Sequence, residues 1–341
     1  MNKDYARRTK VVVKIEGKGV PKEIDSHVLS AVFTDNEEDS ADDFQITLED
    51  RANTLTRGWI GERKRYLTAT IVQQNWDGNG KDKKLKCGKF EIDSVDIAGP
   101  PKKVTIKATS IPYSSTLRMQ KKTKAWENVS LKGIATTIAG NNGLKLMYES
   151  DYNTTYKRKE QVKTSDITFL KKLCNDAGQI LKVTSGTIII YDEEAYDKKQ
   201  AIKTYKFGSK EILSYRLGTS TRDAAYTSCH VSYTDPNTKQ TIEYTYKAPG
   251  GGTGQKLEIN EAVRSTEEAK YLAKKRLRQK NAKEFTARLT VVGDVKLVCG
   301  TCVKLKGFGG YDRKYKIVSA KHNVTGGYTT ELELKQTLEG Y

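Results

Sequence analysis

Cys299-Gly300-Thr301-Cys302 is the segment whose residue types and spacing could most directly do chemistry. Two thiols three positions apart can exchange with a disulfide or form half of a tetrahedral metal site. A redox pair of this kind sits where a strand hands over to a helix, whereas here both flanks alternate like strands. A zinc site needs four ligands, and neither a second such pair nor paired histidines is present. Five cysteines, scattered and odd in number, oppose a disulfide framework, so packing thiols are the expectation. His27, His230 and His322 stand alone and read as structural. Ala248-Pro249-Gly250-Gly251-Gly252-Thr253-Gly254 resembles a phosphate-cradling loop only in its glycines. It lacks the lysine-hydroxyl pair and the strand-loop-helix order, and reads as a loop tip. Asp35-Asn36-Glu37-Glu38-Asp39 and Asp192-Glu193-Glu194 offer neighbouring carboxylates, but their turn-like setting reads as solvated loops. The expectation is no catalytic residue, no metal and no cofactor.

Charge points to partners less than its size suggests. With 60 Lys and Arg against 42 Asp and Glu the formal net charge is +18, which raises nucleic acid or anionic surfaces as partners. Yet lysine is spread along the polar sides of strands and helices. The longest basic cluster, Lys274-Lys275-Arg276 with Arg278 and Lys280, lies on a helix whose other face carries Ala269, Leu272, Ala273 and Leu277. No aromatic-basic interleaving of the RNA-binding kind accompanies it. A solvated lysine-rich surface is the first expectation and a basic β-rich nucleic-acid-binding protein the alternative. No apolar run approaches the roughly 18 residues that span a bilayer. Val11-Val12-Val13 is too short for a signal peptide, so no membrane insertion and a cytoplasmic start are expected.

The elements that would position these residues follow from periodicity. In 1–110, short alternating runs at Val11–Glu16, His27–Phe33, Asp43–Leu48, Tyr66–Gln73, Gly88–Ile97 and Lys103–Ala108 are separated by Gly17-Lys18-Gly19, Asp77-Gly78-Asn79-Gly80 and similar turns. This spacing predicts a barrel or sandwich. In 111–200 the period changes. A helix over Leu131–Ala139 precedes a strand at Leu144–Tyr148, and Thr164 or Ser165 caps a second helix carrying Ile167, Leu170, Leu173, Cys174 and Ala177, ended by Gly178. Strands Gln179–Thr184 and Thr187–Tyr191 follow, the helix being expected to pack around Ile180 and Ile189. In 201–341, strands at Glu211–Leu217, Cys229–Tyr233 and Thr241–Tyr246 precede a helix from the Ser265-Thr266-Glu267-Glu268 capping box to about Lys280. Alternating runs at Val303–Lys306, Tyr315–His322 and Tyr328–Leu334, with turns at Gly307–Gly310 and Gly326-Gly327, close the chain as antiparallel strands.

Three of these segments carry a resemblance. Ser165-Asp166-Ile167-Thr168-Phe169-Leu170, followed by Ala177-Gly178 and two strands about a glycine turn, resembles the phage late control protein D family, the baseplate hub of contractile tails, and its type VI secretion relatives. The glycine-punctuated ending from Cys299 to Tyr341 resembles the family's C-terminal strands, and Ala41–Asp50 its second-strand motif. The resemblance implies a mainly β fold with an α+β insertion: two tail-tube-like antiparallel β-barrels joined by a small α/β module. The implied domains are 1–110 for the first barrel, 111–200 for the module and 201–341 for the second barrel, with a packed helix near 265–281. It further implies a structural homotrimer, a ring of six barrels that adapts a sixfold tail tube to a threefold central spike. The implied partners are tail tube protein, spike protein, tape-measure protein and a LysM-containing baseplate protein. Assembly would occur in the bacterial host cytoplasm, ending in a virion or phage-tail-like particle. With nothing after the second barrel, spike and any wall-degrading activity are expected on other polypeptides; a cell-wall hydrolase finds no matching residues here. On this reading Lys296, Lys304 and Lys306, which alternate with Leu297, Val303 and Leu305, become candidate basic residues of a ring lumen that could hold nucleic acid or an acidic tape-measure segment without base readout, the alternative being an outer surface that they keep soluble.

Overall fold

The computed structural model describes residues 6–16, 24–37, 41–53, 65–78, 80–110, 116–220, 224–236, 238–250 and 253–341. The turn at Gly17-Lys18-Gly19, Glu38 and Asp39 of the first acidic run, Asn79, and Gly251 and Gly252 of the glycine loop lie outside these residues. The fold is mostly antiparallel β with a helical insertion, as the sequence implies.

The first half contains β1 (Arg8–Ile15), β2 (Val28–Asn36), β3 (Asp43–Glu49), β4 (Tyr66–Gln74), β5 (Lys83–Ala98) and β6 (Lys103–Thr109), hydrogen-bonded in the order β1-β4-β5-β6-β3-β2. Their period-two patterning turns Val11, Val13, Phe44, Ile46, Leu48, Leu67, Ile71, Val104 and Ile106 to one core. Fully burying each such side chain stabilises by roughly 1.5–3 kcal/mol. Between Ala69 and Thr70 of β4 the register with β5 shifts by one residue, and Cys87 turns into the core at that bulge. Gly88 follows at φ +115°, a backbone angle that favours glycine.

The middle module holds α1 (Thr116–Met119), β7 (Lys121–Ser130), α2 (Leu131–Asn141), β8 (Lys145–Glu149), β9 (Thr155–Ser165), α3 (Asp166–Asp176), β10 (Ile180–Thr184), β11 (Thr187–Tyr191) and α4 (Glu193–Asp197). Side-chain caps start both longer helices: Ser130 Oγ accepts from Gly133 N, and Ser165 Oγ from Thr168 N. Leu170, Leu173 and Cys174 of α3 pack with α2 and with Val183, Ile188 and Ile190. This corrects the expected packing around Ile189. In a strand a shift of one residue reverses the face, and it is Ile188 and Ile190 that point inward. Gly178 ends the helix at φ +69°, and the Lys275 methylenes lie 2.4 Å from where its Cβ would stand.

The last region comprises β12 (Ala201–Lys206), β13 (Ile212–Thr219), β14 (Tyr226–Thr234), β15 (Thr241–Lys247), β16 (Gln255–Ile259), α5 (Thr266–Asn281), β17 (Phe285–Val292), β18 (Cys302–Lys306), β19 (Lys314–Val324) and β20 (Tyr328–Gln336). β2 pairs antiparallel with β19, so one twelve-stranded sheet runs through both halves and continues β19-β20-β17-β13. β18 joins β19 on one side and, in parallel, β12 on the other. Tyr205, Leu289, Leu297, Leu305, Tyr315, Ile317 and Leu332 fill a second core. Strands β14 to β16 stay out of this sheet. They form a three-stranded sheet of their own, order β15-β14-β16, whose Cys229 and Val231 pack against Ala269, Leu272, Ala273 and Leu277 of α5. The apolar stripe of α5 thus covers this small sheet, while Lys275 and Arg278 turn toward α4. Among the described residues, no helix is long and apolar enough to cross a membrane.

Candidate functional site

Where the two halves and the module meet, the chain buries a cluster of charges. Asp35 ends the inward face of β2 and Glu37 follows just past the strand, two and four residues after Phe33, so period two carries both into the junction. The Lys182 ammonium of β10 pairs with Asp35 and lies 3.3 Å from Asp42. It also donates to Asn36 O at 2.8 Å. The other Asp35 oxygen accepts from Cys299 N at 2.9 Å. Lys316 of β19, 1% exposed, lies 2.8 Å from Glu37 Oε1 and 2.5 Å from Glu193 Oε1. The Tyr191 hydroxyl donates to Glu37 at 2.7 Å. Arg278 of α5 pairs with Asp197 and donates to Leu338 O at 3.0 Å. Each lysine therefore ties together modules that are far apart in sequence.

The electrostatics follow from burial against pairing. For Lys182, burial disfavours the ammonium, but the Asp35 and Asp42 carboxylates outweigh it and hold its pKa above the ordinary value. Burial raises Glu37, with Lys316 opposing, while for Glu193 the pull of Lys316 and Lys335 overcomes burial and brings the carboxyl down to about 2. Of the two acids sharing Lys316, Glu37 is the one that takes up a proton first.

A second contact joins the halves through neutral groups. Gln73 of β4 donates to Gly293 O at 2.9 Å and accepts from Val295 N at 3.2 Å. The Tyr328 ring lies 2.3 Å from the position a Gly293 Cβ would take, so the close approach needs glycine there. His322 is fully buried and stacks on Phe33. Its Nε2 is 3.0 Å from Leu297 O, which can only accept, so Nε2 carries the proton and Nδ1 accepts from the Tyr328 hydroxyl at 2.7 Å. Burial pushes the His322 pKa down to about 4.

The acidic runs were expected to be solvated loops, and the structure corrects this for Asp35, Glu37 and Glu193. Their partners Lys182 and Lys316 are remote in sequence, and pairing makes burial tolerable. The available signal was period two itself, which continues Ala31 and Phe33 into Asp35 and Glu37. The thiols of Cys299 and Cys302 donate to separate carbonyls, Asp35 O and Tyr196 O, and burial raises both pKa values. Among the described residues no three His, Cys, Asp or Glu gather in a way that could hold a metal. Lys304 and Lys306 share the exposed face of β18, opposite buried Val303 and Leu305. Lys306 stands beside Lys206 of β12, and Lys304 beside Lys314 of β19. Lys296 is exposed but sits in the turn before β18, outside any strand.

The phage tail baseplate hub (GPD) family matches residues 93–328, well over half of the sequence, and the chain belongs to that family. A probable baseplate hub protein of Escherichia phage P2 is 28% identical over 180 residues, covering 52% of this chain and 44% of that protein. The match thus spans less than half the length of this relative. Among solved structures, a tail protein from Neisseria meningitidis MC58 superposes with a TM-score of 0.70 at 13% identity, covering 96% of each chain. The 43 kDa tail protein of prophage MuSo2 from Shewanella oneidensis gives 0.67 at 16% identity, covering 96% of this chain and 98% of that one. At these identities the likeness is one of fold.

Proposed function

We propose that this member of the baseplate hub family is a structural, non-enzymatic ring component of a phage tail or phage-tail-like particle. Three copies form a ring that adapts the sixfold tail tube to the threefold central spike. The observation that carries the reading is the construction of the large sheet. Two β halves with separate cores are fused through the β2–β19 ladder. Three such chains would offer six β units in a ring while keeping threefold symmetry. The buried ion pairs at the junction support a fixed angle between the halves, which a ring needs in order to close. Among the described residues the sheet path ends on one side at β1, whose outer edge is open to a neighbouring subunit.

The partners on this reading are further copies of the chain, the tail tube protein, the spike protein, the tape-measure protein and a LysM-containing baseplate protein. Assembly takes place in the bacterial host cytoplasm before incorporation into the particle. Lys304 and Lys306, together with Lys296, line the passage as a basic annulus in this arrangement. The test is light scattering coupled to gel filtration, with rotational analysis of particle images. A mass of three times 38.2 kDa and sixfold-like density are expected. A strictly monomeric species at high concentration in mild salt would refute the ring.

A further inference from the structure

The outward face of the sheet in the second half holds a groove of about 540 Å³ with a strongly cationic lining. Arg216 on β13 stands in register opposite Arg288 on β17, which in turn faces Glu333 on β20. One step further along the strands, Gly218 faces Thr286, and Thr286 faces Lys335. Lys283, in the turn after α5, completes the wall. Alternation accounts for the arrangement: Leu217, Ala287 and Leu334 point into the core, leaving their neighbours outside. Gly218 keeps the floor low, since a Cβ there would come within 3.3 Å of the Thr286 hydroxyl.

Four cations share this groove with one carboxylate, and Glu333 is already 2.9 Å from Arg288. Arg216 and Lys283 have no ion pair among the described residues. Like charges directly opposite across an antiparallel pair destabilise it, a penalty that a bound anion would remove from Arg216 and Arg288. The backbone adds a second, independent feature. Among the described residues β13 pairs with β17 alone, so the other edge of the strand bordering the groove is unpaired. Such an edge accepts an added strand, whose alternate side chains fall about 6.5–7 Å apart on one face. Nucleic acid would match the charge but not the backbone N–H and C=O groups, and among the described residues no aromatic ring lines the groove for bases to stack on.

We propose that this groove binds an acidic, extended peptide segment of a partner protein, added as a strand along β13 with alternate carboxylates held by Arg216, Arg288 and Lys283. Its chemistry does not depend on the trimeric ring. The experiment uses the full chain and a dye-labelled peptide alternating glutamate and threonine, followed by fluorescence anisotropy. A glutamine-threonine peptide and single- and double-stranded DNA serve as competitors. Salt-sensitive binding of the glutamate peptide is expected, with the affinity reduced about tenfold or more in the Arg216→Gln/Lys283→Gln variant, whose thermal unfolding should match the parent. Hydrogen exchange on the unmodified chain decides even if the variant folds poorly, because strand addition must slow exchange of β13 amides. Equal binding of the glutamine peptide, unchanged affinity in the variant, or no protection of β13 would overturn the proposal. Displacement of the peptide by DNA with no protection of β13 would assign the groove to nucleic acid instead.

Discussion

Replacing Lys316 by methionine tests whether the buried charge cluster holds the modules together. Lys316 is 1% exposed, and its ammonium is the cation that Glu37 and Glu193 share. At an effective dielectric near 20, a unit pair about 3 Å apart attracts by about 5–6 kcal/mol, most of it offset by removing the charges from water. The measurable quantity is the deficit on truncation. Lys316→Met keeps the aliphatic stem but leaves two carboxylates facing each other, which costs about 3–5 kcal/mol by the precedent of broken buried pairs. The deficit should depend on pH. Burial already raises Glu37, and loss of the ammonium raises it further. A carboxyl whose folded-state pKa is raised favours the protonated folded form. The penalty is therefore small below the ordinary carboxylate range and grows as pH rises through the folded-state value. Urea unfolding followed by tryptophan fluorescence at pH 8 and pH 5 measures it. The variant Lys316→Met/Glu37→Gln/Glu193→Gln should recover most of the loss and flatten its pH dependence. A deficit under about 1 kcal/mol at both pH values would mean that the cluster is solvated and that the stitching argument is wrong.

Three further outcomes are expected. His322 is held at about 4 against an ordinary 6.5, so the folded chain resists protonation. Stability should fall as pH drops from about 6.5 toward 4, by up to about 3 kcal/mol from this residue, and urea midpoints of a His322→Gln variant should lack that component. Leu173→Ala, at a site 2% exposed, should cost about 2–5 kcal/mol in chemical unfolding. Loss of assembly without loss of stability would instead make that helix face an interface. Changing Lys296, Lys304 and Lys306 together to Gln should leave folding and oligomeric mass intact while weakening salt-dependent polyanion binding; unchanged binding across a salt titration would remove the lumen idea.

Legibility in the sequence followed burial on one face. The run Asp43–Leu48 reads as a strand because Phe44, Ile46 and Leu48 all face one core, and α3 announces itself through Ser165 and its apolar stripe. Strands β7 and β9 escaped notice for the opposite reason. Within Lys121–Ser130 only Trp126 is buried, so there is no apolar period to read, and the two strands exist because they pair with each other. The parallel pairing of β12 with β18 was equally hidden, since no local signal says which strand a given edge will choose. The capping box of α5 forms only in half. Ser265 accepts from Glu268 N, but the Glu268 carboxylate accepts from Arg264 N, one residue before the reciprocal position.

The junction was the hardest part to read, because its two halves of information are stored far apart. Asp35 and Lys182 are 147 positions apart, and Lys316 and Glu193 are separated by 123. Taken alone, an acidic run after a strand is most simply a solvated turn, and a lysine in a basic chain is most simply surface. Only strand phase distinguishes them: Ala31, Phe33, Asp35 and Glu37 occupy one face, and that face is the buried one. A charged residue in phase with a buried face requires a partner of opposite sign. In this chain the partners came from the other modules, so the residues that looked least structural are the ones that fix how the modules meet.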